Sequence, residues 1–175
     1  GYYKQPELTA QAIDPDGWFH TGDTGYFDPD GYLFITGRTK SMFKTSMGKF
    51  INPEVIEEKM KQSPFILDMM VVGAEQKFAA ALVAPDFDML KDWCRRHGVS
   101  AQTPAEMIAD KVVIARFQKV MDKYNAELGV TEQVKRFALV ADTWSEANKM
   151  LTPTQKLIRR NVEAAYKEQI EALFK

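Results

Sequence analysis

Cysteine and histidine are scarce in this sequence, which narrows the chemistry that it can support. The 175 residues include one cysteine, Cys94, and two histidines. A lone cysteine cannot form an internal disulfide, one cysteine with two histidines is a poor ligand set for zinc, and no Ser-His-Asp or Cys-His set is evident. Because Cys94 adjoins Trp93 in a segment with helical spacing, we expect a buried thiol rather than a reactive one.

Long apolar runs and an excess of charge are also missing. The longest apolar stretches, such as residues 78–85, are far too short to cross a bilayer. The formal net charge of −1 gives no electrostatic case for binding nucleic acid. We expect a cytoplasmic protein, since a free cysteine fits a reducing compartment, and a peripheral contact with a membrane stays open. The chain starts at Gly1, within a turn-rich segment, so we expect a fragment of a longer protein.

Glycine occurs in turns rather than in a phosphate-binding loop. The glycines of residues 17–37 match neither the P-loop nor the dinucleotide-binding pattern, so a self-contained catalytic site is not indicated. Two Asp-Pro-Asp-Gly segments, residues 14–17 and 28–31, favour type I turns because aspartate, proline and glycine suit the first, second and fourth turn positions. They lack the spacing and closing glutamate of a calcium-binding EF-hand loop.

Strand and helix patterns alternate along the rest of the chain. Strands are predicted at residues 18–20, 32–35, 42–45, 66–72, 78–83 and 134–140. Helices are predicted at residues 6–13, 53–62, 87–97, 104–128 and 158–173, the fourth preceded by a capping box at Thr103. This pattern predicts an α+β fold, with a small mixed sheet of about three strands plus a β-hairpin, covered by helices.

Three segments carry distinctive chemistry in a fixed order. Residues 20–23 read His-Thr-Gly-Asp, residues 37–57 include Gly-Arg-Thr-Lys and Lys-Thr-Ser-Met-Gly-Lys-Phe-Ile-Asn-Pro-Glu-Val-Ile-Glu, and residues 151–160 read Leu-Thr-Pro-Thr-Gln-Lys-Leu-Ile-Arg-Arg. In this order they resemble the C-terminal signatures of the adenylate-forming superfamily of acyl-CoA synthetases, adenylation domains and luciferases. The last two segments are most similar to those of long-chain fatty acid–CoA ligases.

The resemblance implies an activity and a domain organisation. Such enzymes use ATP and Mg²⁺ to convert a fatty acid into an acyl-adenylate, and then transfer the acyl group to coenzyme A. Residues 1–37 would be the tail end of a large N-terminal AMP-binding domain, which holds the Mg²⁺ ligands and is the partner of the rest. Residues 38–175 would be the mobile C-terminal lid domain. The chain alone would then be inactive.

The resemblance assigns ribose binding to Asp23 and Arg38. A carboxylate can accept hydrogen bonds from both ribose hydroxyls, and a guanidinium is a permanently charged fork of donors. The alternatives are a turn carboxylate and a surface ion-pair partner. Lys40 occupies the hinge position of the family, where a residue absorbs backbone rotation, although it could also be a solvated lysine.

Catalysis is assigned to Lys156, which resembles the adenylation lysine of the family. Its ammonium group would stabilise the charge that develops near the α-phosphate and the substrate carboxylate. The alternative is a basic residue at the start of a helix, where the helix dipole disfavours a cation. We assign Glu57 a structural role, and we expect Arg159 and Arg160 to be solvated or to cap a helix.

The loop of Gly48, Lys49 and Phe50 would face the coenzyme A channel. Glycine allows close approach of a thin pantetheine arm, and Lys49 could meet a phosphate, although an ordinary tight turn fits as well. The sequence also departs from the pattern of these ligases, because no glycine precedes Leu151 in residues 145–150. The turn geometry there is therefore expected to differ.

Two other functions remain open. The chain could belong to an adenylation domain that loads a carrier protein, in which case the acceptor thiol is protein-bound. It could instead be a non-catalytic module that binds a nucleotide or a partner protein. Substitution of Lys156 would abolish adenylation by a ligase but leave the affinity of a binding module largely unchanged.

Overall fold

The structure is a computed structural model that describes residues 1–38 and 41–175, and of Arg38 the backbone only. It contains two compact units, Gly1–Met42 and Phe43–Lys175, which we call the N-terminal and C-terminal units. The described helices are α1 (Pro6–Ala12), α2 (Pro53–Met60), α3 (Phe87–Arg96), α4 (Pro104–Ala109), α5 (Lys111–Asn125), α6 (Arg159–Ala165) and α7 (Lys167–Leu173). The described strands are β1 (Asp23–Phe27), β2 (Leu33–Arg38), β3 (Phe43–Lys44), β4 (Phe50–Ile51), β5 (Ile66–Val72), β6 (Ala79–Pro85) and β7 (Val134–Leu139).

The N-terminal unit is built around the antiparallel pair β1–β2. The predicted turn at residues 28–31 joins the two strands, and the N–H of Gly31 donates to the carbonyl of Asp28 at 3.0 Å. The carboxylate of Asp28 also accepts from the N–H groups of Asp30 and Tyr32, at 3.0 and 2.8 Å. Residues 18–20, where a strand was expected, contribute only an isolated bridge between Phe19 and residue 13.

The C-terminal unit contains the predicted small mixed sheet of three strands, which lie in the order β5-β6-β7. Strand β6 is antiparallel to β5 and parallel to β7. All seven residues of β6 are buried, because apolar side chains cover both faces of this central strand. The first apolar layer includes Ile56, Met60 and Phe117, and the second includes Trp144 and Val162.

The short pair β3–β4 forms a β-hairpin, of which the sequence predicted only the first strand, at residues 42–45, and α2 follows it directly. Further along, the side chain of Asp86 caps α3, accepting from the N–H groups of Asp88 and Met89. Cys94 lies on the buried face of α3 with 2% of its surface exposed, and burial raises the pKa of its thiol. The prediction of a buried cysteine is therefore confirmed.

The long helix predicted after the capping box is in fact two helices. Thr103 and Glu106 form the capping box of α4 as expected, with bonds of 3.3 and 3.1 Å. Asp110 then adopts an extended conformation that ends α4, and its carboxylate caps α5 by accepting from the N–H of Val112 at 2.7 Å. The predicted last helix is likewise divided at Tyr166, between α6 and α7. Every helix in the described part of the chain is too short or too polar to traverse a membrane.

Candidate functional site

The two residues predicted to bind ribose are direct neighbours in the N-terminal unit. Asp23 opens β1 and Arg38 ends β2, and the two are paired across the strands. The N–H of Asp23 donates to the hydroxyl of Thr21 at 3.1 Å, and the Asp23 side chain is exposed. The strand register therefore places a carboxylate residue opposite an arginine at one end of the pair. The predicted hinge residue, Lys40, lies outside the described residues.

The predicted coenzyme A loop, residues 48–50, lies at the tip of the β3–β4 hairpin and includes Phe50, the first residue of β4. Buried Thr45 organises it: its N–H donates to the carbonyl of Lys49 at 2.8 Å, and its hydroxyl accepts from the N–H of Lys49 at 3.2 Å. Gly48 has φ of +80°, a conformation that glycine adopts without strain. Phe50 remains 65% exposed. The loop is thus fixed at its base and presents Lys49 and Phe50 outward.

Lys156 lies in a tight turn, residues 151–157, which we call the Lys156 hairpin. A bridge between Leu151 and Leu157 closes it. The N–H of Thr152 donates to the carbonyl of Lys156 at 2.8 Å, and its hydroxyl accepts from the N–H of Lys156 at 3.0 Å. Lys156 is exposed and precedes α6, so it is a hairpin residue rather than a residue of the helix start.

The segment without the expected glycine adopts a left-handed conformation nonetheless. Lys149 has φ of 59°, which is uncommon for a residue with a side chain. Its carbonyl accepts from the Asn161 amide at 2.6 Å. The Asn148 amide oxygen accepts from the N–H groups of Ser145 and Met150, at 2.9 and 3.3 Å. Asparagine side chains therefore hold the turn that leads into the Lys156 hairpin.

The environment of Arg159 differs from the sequence-based expectation. This residue is neither solvated nor a helix cap: its Nη2 donates to Oε2 of Glu57 at 2.6 Å, and its Nη1 donates to the Val71 carbonyl at 3.4 Å. Oε1 of Glu57 accepts from the Val71 N–H at 2.6 Å. The structural role expected for Glu57 agrees with this geometry. An acidic residue beside Ile56 on the buried face of α2 signals a buried cationic partner, but not which one.

Burial dominates the electrostatics of this ion pair. It raises the pKa of Glu57 from 4.5 to about 7, and the opposing effects of Arg159 and of the Val71 N–H only partly offset it. Burial also raises the pKa of Asp68, against the opposing charge of Lys61. Within the described residues, no group of three or more His, Cys, Asp or Glu side chains could hold a metal ion.

Comparison with known proteins identifies the family. Residues 41–175 match the AMP-binding enzyme C-terminal domain. The chain belongs to this family of domains. It is 32% identical over 175 residues to long-chain-fatty-acid–CoA ligase FadD15 of Mycobacterium tuberculosis, and 36% identical over 177 residues to long-chain-fatty-acid–CoA ligase 1 of Homo sapiens. Each match covers 99% of this chain, which spans 29% and 25% of the length of these relatives.

Solved structures confirm the predicted fold. The adenylation domain of a carboxylate reductase from Mycobacterium chelonae is similar over 99% of this chain and 26% of its own, with a TM-score of 0.77 and 27% identity. The A-PCP didomain of a carboxylic acid reductase from Segniliparus rugosus, in complex with AMP, has a TM-score of 0.75 and 28% sequence identity. That match covers 99% of this chain and 23% of the didomain chain. The resemblance to adenylate-forming enzymes is therefore confirmed.

Proposed function

We propose that this chain is the C-terminal portion of a long-chain fatty acid–CoA ligase. The whole enzyme would convert fatty acid, ATP and coenzyme A into acyl-CoA, AMP and pyrophosphate through an acyl-adenylate. The observation that carries the proposal is the 32–36% identity, across 99% of the chain, to relatives named as long-chain-fatty-acid–CoA ligases. Residues 1–37 would then end the AMP-binding domain, and residues 38–175 would form the lid, with Lys40 as the hinge.

The geometry supports a division of labour among the predicted residues. Asp23, paired across the strands with Arg38, would accept hydrogen bonds from the ribose hydroxyls of ATP. Lys156 would neutralise charge at the α-phosphate and carboxylate during adenylation, since its ammonium forms no ion pair with any described residue. The loop of Gly48, Lys49 and Phe50 would lie along the pantetheine arm of coenzyme A.

Magnesium would be held elsewhere in the enzyme. We assign the Mg²⁺ ligands to the large N-terminal domain, as the resemblance to acyl-CoA synthetases implies. Mg²⁺ would neutralise the phosphates of ATP when bound there. The residues of this chain would act only on the ribose, on the reacting carboxylate and on the thiol channel.

A second candidate follows from the structural neighbours. One of them was solved as an A-PCP didomain, so a carrier-bound thiol is the natural alternative to free coenzyme A. A non-catalytic module that binds nucleotide or a partner is the third candidate, and this chain offers no separate observation in its favour. Acyl transfer to free coenzyme A, but not to a carrier protein, would support the ligase.

The decisive test uses the whole enzyme with its N-terminal domain. In Lys156→Ala, fatty acid-dependent pyrophosphate release should fall by about 10²–10³-fold, the usual effect of removing one electrostatic stabiliser of a transition state. Acyl transfer to coenzyme A from supplied acyl-adenylate should change little. Lys119→Ala, which removes an exposed lysine of α5, is the matched control.

Two results would contradict this proposal at different levels. If Lys156→Ala matches wild type in both steps, the residue assignment is wrong. If the wild-type enzyme performs neither step with any fatty acid, the ligase proposal fails. The 175-residue chain alone should produce no acyl-CoA, and clear turnover by it would overturn the division between the two domains.

A further inference from the structure

The Lys156 hairpin is internally rigid, so the position of Lys156 depends on how the base of the hairpin is attached. Two main-chain bonds and the hydroxyl of Thr152 define the turn around Lys156. At the base, Leu151 and Leu157 pack into the second apolar layer, and the N–H of Ile158 donates to the Met150 carbonyl at 2.8 Å. Apolar contacts are non-directional, so they fix the depth of the hairpin better than its orientation.

The directional contacts from this region to α2 and β5 come from Arg159, the first residue of α6 and the third after Lys156. Its guanidinium binds the carboxylate of Glu57 and also reaches the carbonyl of Val71. The carboxylate is itself held, because its other oxygen accepts from the Val71 N–H. A planar, charged donor fork on a fixed carboxylate is among the most orienting contacts that a side chain can make.

We propose that Arg159 is a positioning residue that holds the Lys156 hairpin in its adenylation geometry by binding Glu57 of α2 and the Val71 carbonyl of β5. The inference rests on the adenylation role proposed above for Lys156. It adds a residue, and a partner for it, to the proposed reaction. Arg159 touches no substrate in this scheme and acts only through the hairpin.

The layout of the sheet explains why one contact can have this effect. Strand β5 is an edge strand, and both main-chain polar groups of Val71 are bound by Glu57 and Arg159. Helix α2 contributes to the first apolar layer, whereas α6 contributes to the second. The ion pair therefore joins elements from both sides of the sheet. A misplacement of about 1 Å at a reacting group can cost about a hundredfold in rate.

The same contact links two of the predicted site segments. Helix α2 starts at Pro53, just after the β3–β4 hairpin that carries the loop of Gly48, Lys49 and Phe50. Through Glu57, that hairpin and the Lys156 hairpin are parts of one fixed body. They should therefore move together in any rearrangement between the two half-reactions.

The test measures the two half-reactions separately in the whole enzyme. Glu57→Gln removes the charge of the pair and retains an oxygen for the Val71 N–H, while Arg159→Met removes the fork and Arg159→Lys keeps its charge. We expect Glu57→Gln and Arg159→Met to slow pyrophosphate release by about 10–100-fold, consistent with misplacement of a reacting group. Acyl transfer from supplied acyl-adenylate should stay close to wild type, and Arg159→Lys should recover part of the loss.

Asp68→Asn is the matched control. It breaks another ion pair between the end of α2 and β5, Lys61 Nζ to Asp68 Oδ1 at 3.4 Å, but has no link to the Lys156 hairpin. It should leave both half-reactions unchanged. In a Lys156→Ala background, adding Arg159→Met should cause no further loss of adenylation, because the positioned group is already gone.

Three outcomes would overturn the positioning role. The first is a full rate of adenylation in both Glu57→Gln and Arg159→Met. The second is an equal loss of both half-reactions that follows the unfolded fraction in thermal melts, which indicates a purely structural contact. The third is an intact adenylation rate in Lys156→Ala, which would also overturn the role proposed for Lys156. If Lys156→Ala slows adenylation but the Arg159 variants do not, only the positioning role of Arg159 is overturned.

Discussion

Different interactions stabilise the N-terminal and C-terminal units. In the described part of the N-terminal unit no residue is buried, and several large apolar side chains are exposed to solvent. Trp18 is 75% exposed and Phe27 is 70% exposed. In the C-terminal unit Phe117, Ile56 and Leu82 have no exposed surface. The pair proposed to bind ribose, Asp23 and Arg38, is therefore held by turns and strand hydrogen bonds, whereas the Lys156 hairpin is supported by a packed core.

Replacing one phenylalanine in each unit with alanine should give the largest difference in the free energy of unfolding between the units. Phe117→Ala removes a fully buried ring that packs edge-on against Phe65, and should lower the free energy of unfolding by about 3–5 kcal/mol. Phe27→Ala removes an exposed ring and should change it by less than about 0.5 kcal/mol. Urea unfolding of the 175-residue chain followed by circular dichroism measures both. Similar losses would show that the exposed ring of Phe27 contributes as much to stability as the buried ring of Phe117.

An effect of intermediate size should be a pH dependence of stability that arises from Glu57 in the C-terminal unit. The folded-state pKa of Glu57, about 7, is higher than its ordinary value of 4.5. Between these values the folded chain keeps a proton that the unfolded chain has released. The resulting stabilisation is fully present below pH 4.5 and is lost as the pH rises through 7.

Unfolding experiments on Glu57→Gln isolate this effect. The wild-type chain should lose about 2 kcal/mol of stability more than Glu57→Gln between pH 5 and pH 7.5. Other titrating groups are common to both proteins and cancel in the difference. Parallel pH profiles would mean that Glu57 is ionised in the folded chain throughout this range.

The smallest effect should come from a helix cap. Thr103→Ala removes the hydroxyl that accepts from the N–H of Glu106, and should cost about 1 kcal/mol. Asp28→Ala removes a comparable turn acceptor in the N-terminal unit and should leave the unfolding transition of the core unchanged. The same urea titrations measure both variants. A larger cost for Asp28→Ala than for Thr103→Ala would reverse the ranking of the two units.

Local features of this fold could be predicted from the sequence because their partners are close in the chain. The turn at Asp28 and the capping box at Thr103 depend on residues within four positions. The break at Asp110 could not be predicted, because the apolar spacing continues through it. Arg159 and Glu57 are 102 positions apart, and only the packing of α2 and α6 about one sheet brings them together.

The candidate site also combines features that the sequence predicts with features that only the fold determines. Its residues were assigned through resemblance, because no self-contained catalytic pattern exists in the sequence. The pairing of Asp23 with Arg38 follows from the register of β1 and β2, which includes an irregularity at Thr24 and Gly25 that alternation alone does not predict. The carbonyl of Lys149, which has a left-handed conformation, accepts a hydrogen bond from Asn161 in the helix beyond the hairpin, a contact that the local sequence does not predict.

The position of β6 in the sheet also bears on how the chain folds during synthesis. Its antiparallel neighbour, β5, lies immediately upstream, but its parallel neighbour, β7, is translated only after α3, α4 and α5. Until Val134 has emerged, one edge of a strand with seven buried residues has no partner. Such an edge can pair with another nascent chain, so the interval between β6 and β7 is the stage at which aggregation competes most directly with folding.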